Sequence, residues 1–302
     1  MSKELYPLKL TPVCKEIIWG GERLKSEFGK SAPFDKIAES WELTVRPDGM
    51  NVIENGIYAG MTLSEYLSSD EKFPLLIKLI DACDRLSIQV HPDDEYAQKF
   101  EGEFGKTEVW YIVDALPGSR LIWGLKDYSP SKFRSALENG TLEEHMNYVE
   151  VKKGDVFFIP SGCVHAIGAG ILIAEIQQSS NVTYRVYDYM RRDKNGKLRE
   201  LHVEKALDVI VDFTPDEIEA LRFSNGRGDY SIVNCKYFSV DKYDLTEPIS
   251  LSADKSFIHL LCLDGEGYVG DQPIKKGDGY LIPKGLSVEV SGNLSVIASK
   301  MN

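Results

Sequence analysis

Short apolar runs bounded by Gly, Pro or Asp recur along the chain: Leu75 to Ile80, Leu86 to Val90, Val109 to Val113, Val156 to Ile159, Ile171 to Ile176 and Phe257 to Cys262. Runs this short between turn-forming residues read as strands and predict an all-β-dominated sandwich or barrel. Helices are few and marked by their first residues. Thr62 with Glu65 and Thr141 with Glu144 have the Ser/Thr-x-x-Glu capping spacing, and Ser129-Pro130 and Thr214-Pro215 put proline at a first helical position. The pattern predicts a small helical insertion over 129–148, broken near Gly140. It also predicts a helix over 202–211, where Val203, Ala206, Leu207 and Ile210 share a face.

One stretch occurs twice. Lys152-Lys-Gly-Asp-Val-Phe-Phe-Ile-Pro-Ser-Gly162 returns 123 residues on as Lys275-Lys-Gly-Asp-Gly-Tyr-Leu-Ile-Pro-Lys-Gly285. A Gly-Asp turn, a short strand and a Pro-x-Gly turn make the same corner in each half, which predicts two related β-domains, residues 1–212 and 213–302. The copies differ in chemistry: His165 in the first aligns with Val288 in the second, so only the first half offers a histidine there.

The 302 residues leave room for two cores. A net charge of −12 repels nucleic acid and anionic lipid, so neither is an expected partner. The five cysteines are scattered without a Cys-x-x-Cys pair, which disfavours a disulfide framework or a zinc ribbon. No signal-peptide core and no long uncharged apolar run is present, so a cytoplasmic protein is expected.

Three segments of the first half carry metal-type ligands. In Ser87-Ile-Gln-Val-His-Pro-Asp-Asp94, Gln89 and His91 are two apart on a strand and project from one face, with Ile88 and Val90 on the other. In Gly105-Lys-Thr-Glu-Val-Trp-Tyr111, Glu108 opens an apolar strand, where a carboxylate needs a partner. The third, Gly154-x5-Pro160-x-Gly162-x2-His165, presents an imidazole just beyond its closing turn. Gln89, His91, Glu108 and His165 together supply two nitrogens and two oxygens, a set suited to one Zn²⁺ per chain and tolerable for Fe²⁺, Mn²⁺ or Co²⁺. A single carboxylate leaves such a site near +1, a catalytic rather than structural balance. His145, His202 and His259 lack such company and read as ordinary histidines; Glu175 and Lys78, charges within apolar runs, can equally face solvent from an edge strand.

With these residues in view, Gly154 to His165 resembles the second cupin motif. Joined to Ser87-Ile-Gln-Val-His-Pro, Gly105-Lys-Thr-Glu and Ile159-Pro-Ser-Gly-Cys-Val-His-Ala, it resembles the zinc-dependent type I mannose-6-phosphate isomerases in their short bacterial form. The likeness runs from Ile18-Trp-Gly-Gly21 and Glu39-Ser-Trp-Glu42 through Thr183-Tyr-Arg-Val-Tyr-Asp188 to Leu201-His-Val-Glu-Lys-Ala206, about two-thirds of the chain by motif. It implies two cupin-type jelly-roll β-barrel domains, the first catalytic and the second lacking metal ligands. It puts the zinc ligands on the same four residues and the active-site arginine on Arg185. It also puts the lysine preceding the ligand glutamate on Lys106, the buried glutamate on Glu175, and a serine contacting phosphate or substrate on Ser87. Long-form relatives carry an aspartate before the arginine, where this chain reads Gln178-Ser-Ser-Asn181.

The implied reaction interconverts mannose 6-phosphate and fructose 6-phosphate through a cis-enediol or enediolate. Arg185 would supply fixed charge to substrate oxygens or phosphate, and Lys106 proton transfer or phosphate binding; Lys106, Glu175 and metal-bound hydroxide stand open as the base. The competing readings are a metal-cupin isomerase of glucose 6-phosphate, an Fe²⁺ oxygenase, and a non-catalytic sugar-binding bicupin. A small phosphosugar is the expected partner, and the chain a monomer or homodimer.

Overall fold

The computed structural model describes residues 3–68, 73–192, 195–223 and 229–302. Strands dominate, and the chain divides into two compact units. One comprises Glu16–Gly21 and Ile80–Ser224; the other comprises Met1–Lys15, Glu22–Leu79 and Asn225–Asn302. This division differs from a boundary at 212/213. The reason is long-range main-chain pairing, since Leu8–Thr11 is hydrogen-bonded to Gly279–Ile282 within the second of these units. Such pairing leaves no local trace in the sequence. Among the described residues the strand ladders form open sheets, and none closes into a ring.

In the unit holding Ile80–Ser224, one antiparallel sheet runs Met146–Glu150, Arg120–Leu125, His165–Ala166, Ile88–Val90, Tyr184–Tyr187. A second ladder places Glu108–Ala115 between Val156–Ile159 and Ile171–Gln178. Alternation along the first sheet sorts its residues. Ile88, Val90, Ile122, Val164, Ala166 and Val186 join a core cluster with Phe133, Ala136 and Ala206 from the helices Pro130–Glu138 and Val203–Val209. Burial of each large aliphatic or aromatic member contributes about 1.5–3 kcal/mol, and this apolar face fixes the register that turns Gln89, His91 and His165 the other way.

The helix starts follow their signals in three cases. Thr62 and Glu65 form a reciprocal capping box, Thr214 and Glu217 form another, and Ser129 accepts from the Lys132 amide. The box expected at Thr141 and Glu144 does not form. Leu142–His145 is a single 3₁₀ turn that leads into the strand Met146–Glu150, so the helical part of the insertion ends at Glu138. Pairing of Met146–Glu150 with Arg120–Leu125 overrides local helix preference there.

Backbone hydrogen bonds put the two copies of the repeated corner in register, residue by residue. The Asp155 carboxylate accepts from the Lys152 amide at 3.0 Å and the Asp278 carboxylate from the Lys275 amide at 3.0 Å. Gly154 and Gly277 take φ of 88° and 90°, Gly162 and Gly285 φ of 83° and 89°, a left-handed conformation that disfavours any side chain. The Gly162 amide donates to His91 O and the Gly285 amide to Ala253 O. Ile159 pairs with Glu108 as Ile282 does with Ile258, and His165 with Gln89 as Val288 does with Leu251. The counterparts of Gln89, His91, Glu108 and His165 are therefore Leu251, Ala253, Ile258 and Val288, all members of one buried apolar cluster.

Candidate metal centre

The four sequence-selected ligands come from three strands and the residue just beyond one of them, and the structure brings them together. Glu108 Oε1 lies 3.5 Å from His165 Nε2 and 3.8 Å from His91 Nε2. The ligand atoms of His91, Glu108 and His165 all lie within 4.8 Å of one another, and all three residues are buried. Each imidazole is oriented from behind. His91 Nδ1 is 2.9 Å from Val182 O and His165 Nδ1 is 2.9 Å from Cys163 O, so each Nδ1–H donates to a carbonyl and each Nε2 lone pair faces the carboxylate. Burial pushes the His165 pKa down to about 4, Lys106 acting in the same direction, and the ring stays neutral and able to ligate.

Gln89 stands directly opposite His165, its Nε2 at 3.3 Å from His165 Nε2 and its Oε1 at 3.5 Å from Ser87 Oγ. Rotating the amide by 180° would put Oε1 towards the histidines and give Nε2 the serine oxygen as acceptor, the orientation a cation requires. With that rotation the donor set of two imidazole nitrogens, a carboxylate and an amide oxygen fits a zinc-like dication.

The remaining predicted residues ring this group. On the histidine sheet, Arg185 is register partner to Gln89 on the side away from His165, so Trp123, His165, Gln89 and Arg185 form one row on a single face. Arg185 Nε donates to Ser87 Oγ at 3.2 Å, and its Nη1 to Glu200 O at 2.9 Å. Burial lowers its pKa, with Arg199 and Arg191 adding to the effect, yet a guanidinium keeps its charge. Asp188, three residues further on, is not its hydrogen-bonding partner. Asp188 instead takes Arg191 and Arg199 as its hydrogen-bonding partners, which hold its carboxyl below the usual range against the opposing pull of burial.

Two residues before the glutamate strand, Lys106 is buried, its Nζ 2.8 Å from Glu108 Oε2 and 4.0 Å from Glu175 Oε1. Glu175 is buried as well, and its Oε2 accepts from Trp110 Nε1 at 2.9 Å. The Trp110 ring stands edge-on to His165, centroids 5.3 Å apart. His145 and His202 lie outside this cluster, and His259 belongs to the other unit.

Two participants were not singled out by sequence reasoning. Trp110 looked like another apolar member of its strand. Gln177 lies directly opposite Glu108 and shares its face of the sheet with Glu175. The signal for Gln177 was a second polar residue at strand spacing from Glu175 in an otherwise apolar run.

Two family models match the chain: the phosphomannose isomerase type I catalytic domain over residues 7–107 and the mannose-6-phosphate isomerase cupin domain over 229–301. The chain is 42% identical to mannose-6-phosphate isomerase ManA of Bacillus subtilis, over 93% of its own length and 94% of that protein's. It is 37% identical to the mannose-6-phosphate isomerase of Streptococcus mutans, over 98% of each. The crystal structure of the Bacillus subtilis mannose 6-phosphate isomerase superposes with a TM-score of 0.86 at 35% identity, covering 97% of this chain and 99% of that one. Structures of the phosphomannose isomerase from Salmonella typhimurium share the fold at 15% identity, one with a TM-score of 0.77 over 98% of this chain and 99% of that one.

Proposed function

The chain belongs to the type I mannose-6-phosphate isomerase family, and from that premise we propose that it interconverts mannose 6-phosphate and fructose 6-phosphate as a zinc-dependent aldose–ketose isomerase. The observation that carries the reading is the convergence of His91, Glu108 and His165, with both Nδ1 atoms tied to backbone carbonyls and Gln89 alongside. Held by Gln89, His91, Glu108 and His165, Zn²⁺ would supply a Lewis acid against negative charge developing on the substrate.

The chain's own residues do the rest. In the open-chain sugar a proton leaves C2 and one is delivered to C1, while the hydroxyl proton passes from O2 to O1 through a cis-enediol or enediolate. Lys106 and Glu175, buried and 4.0 Å apart, are the proton-handling pair. Trp110 fixes one oxygen of Glu175, leaving the other on the Lys106 side. Arg185, braced by Ser87 and Glu200 O, directs a permanent cation at the substrate's oxygens or phosphate. Burial of Lys106, Glu175 and Trp110 excludes water that would protonate the intermediate at random.

A coupled assay for fructose 6-phosphate formed from mannose 6-phosphate, with glucose 6-phosphate as control and with or without a chelator, tests the proposal. Turnover of mannose 6-phosphate is expected, abolished by chelation and restored by Zn²⁺. Equal turnover with glucose 6-phosphate would reassign the substrate, chelator-insensitive turnover would remove the metal, and binding without turnover would make this a sugar-binding protein.

A further inference from the structure

Gln177 is fully buried, and its amide is held in one orientation. Nε2 donates to Gln178 O at 2.7 Å and to Ser180 O at 2.8 Å, using both amide protons on backbone acceptors. Exchanging N and O would set an amide oxygen against two carbonyl oxygens, so the network fixes which end is which. The oxygen, Oε1, is buried with no hydrogen-bond partner among the described residues. A buried acceptor left unmatched costs free energy, and native proteins rarely keep one without use.

Its position gives the use. Gln177 is register partner to Glu108, and directly opposite residues of an antiparallel pair share a face with Cβ atoms about 4.5–5.5 Å apart. Oε1 therefore belongs to the same interior face as Glu108, Trp110 and Glu175. Its chemistry narrows the occupant. A neutral carbonyl-type oxygen accepts and cannot donate, so a phosphate dianion, itself all acceptors, has nothing to offer it. The Lys106 ammonium is already engaged by Glu108. An uncharged O–H donor is the match.

Resting on the phosphosugar reading above, we propose that Gln177 Oε1 accepts a hydrogen bond from a hydroxyl of the bound sugar. This makes Gln177 a substrate-binding residue that reads the carbinol portion of the ligand rather than its phosphate, while the cationic Arg185 flanks Gln89 on the other sheet. A site that hydrogen-bonds a substrate hydroxyl discriminates strongly against an analogue lacking it.

The test is a ligand-by-variant cycle on the zinc-loaded protein, read by calorimetry with mannitol 6-phosphate, an alditol that cannot isomerise, and each of its monodeoxy analogues. In the wild type, removal of one particular hydroxyl is expected to weaken binding about 10- to 100-fold. In Gln177→Met, which keeps the side-chain volume, the loss at that position should vanish while losses at the others stay. Loosening of the turn at Gln178 and Ser180 would affect all ligands alike and cancel in the cycle. Identical deoxy profiles in wild type and Gln177→Met would overturn the proposal. If Gln177→Met fails to fold or to retain metal, Gln177→Asn, which keeps the amide protons and sets the oxygen back by one methylene, should shrink the loss at that one position; a profile unchanged from wild type would again overturn it. A wild type that neither binds the alditol phosphate nor isomerises mannose 6-phosphate refutes the substrate reading, whereas one that does both with an unaltered deoxy profile in the variants refutes only the role of Gln177.

Discussion

The two copies of the repeated corner hold the same backbone and opposite interiors. At the four equivalent positions one carries Gln89, His91, Glu108 and His165, the other Leu251, Ala253, Ile258 and Val288, although the turn glycines, aspartate bonds and strand registers match. The scaffold is thus indifferent to whether its centre is polar or apolar. What differs is the support. The polar set needs bonds from behind, supplied to the imidazoles by Val182 O and Cys163 O, and a counter-charge, supplied by Lys106; the apolar set needs only to fill space. Arg185 marks a second difference. Its strand, Tyr184–Tyr187, lies beside Ile88–Val90, whereas among the described residues the equivalent strand Ile249–Ser252 pairs only with Ser287–Met301.

Making the first copy resemble the second should have the largest effect. His165→Val is expected to abolish stoichiometric zinc and reduce turnover to background, as elemental analysis and the coupled assay would show; full metal content in that variant would dissolve the contrast between the copies. Arg185→Ala removes a donor without touching the ligands, so metal content should persist while kcat falls by about 10²- to 10³-fold. The reverse exchange tests the apolar copy. Ile258→Glu places a lone carboxylate in a dry cluster without a lysine at the matching position, and should lower unfolding free energy by about 3–5 kcal/mol in denaturant titration.

The effect that is smallest at neutral pH concerns His259, two residues before Leu261 on the second copy's strand. Burial pushes its pKa down to about 3, Lys30 assisting against an opposing pull from the Glu42 backbone carbonyl. The folded ring resists a proton that the unfolded chain takes up near pH 6.5, so stability should fall as pH drops from about 6.5 towards 3. In His259→Leu, that part of the slope should flatten in melts recorded across the range. An unchanged slope would show that His259 does not contribute.

Much of this contrast could be read in the sequence because it lies in side-chain type at fixed spacing. Gln89-x-His91 alternating with Ile88 and Val90, and the Gly-x5-Pro-x-Gly-x2-His corner, specify local geometry, and local geometry decides which face a ligand takes. The partition of residues 1–15 and 22–79 with the C-terminal strands was illegible, since it depends on pairings such as Leu8 with Leu281 whose partners lie far apart along the chain. The turn at Thr141 misled because a capping signal was outcompeted by a strand. Gln177 was hidden for another reason: its value rests on which of its two amide atoms is left over, and only a hydrogen-bond census reveals that.

Trp110 has a practical consequence. Its indole donates to Glu175 and meets His165 edge-on, so it touches both a proposed proton carrier and a proposed ligand from a fully buried position. Because the chain has three other tryptophans, the difference in emission between the wild type and Trp110→Phe would serve as an optical gauge of the centre: a neighbouring imidazole that gains or loses a cation alters quenching of that fluorophore, and no dye need be added.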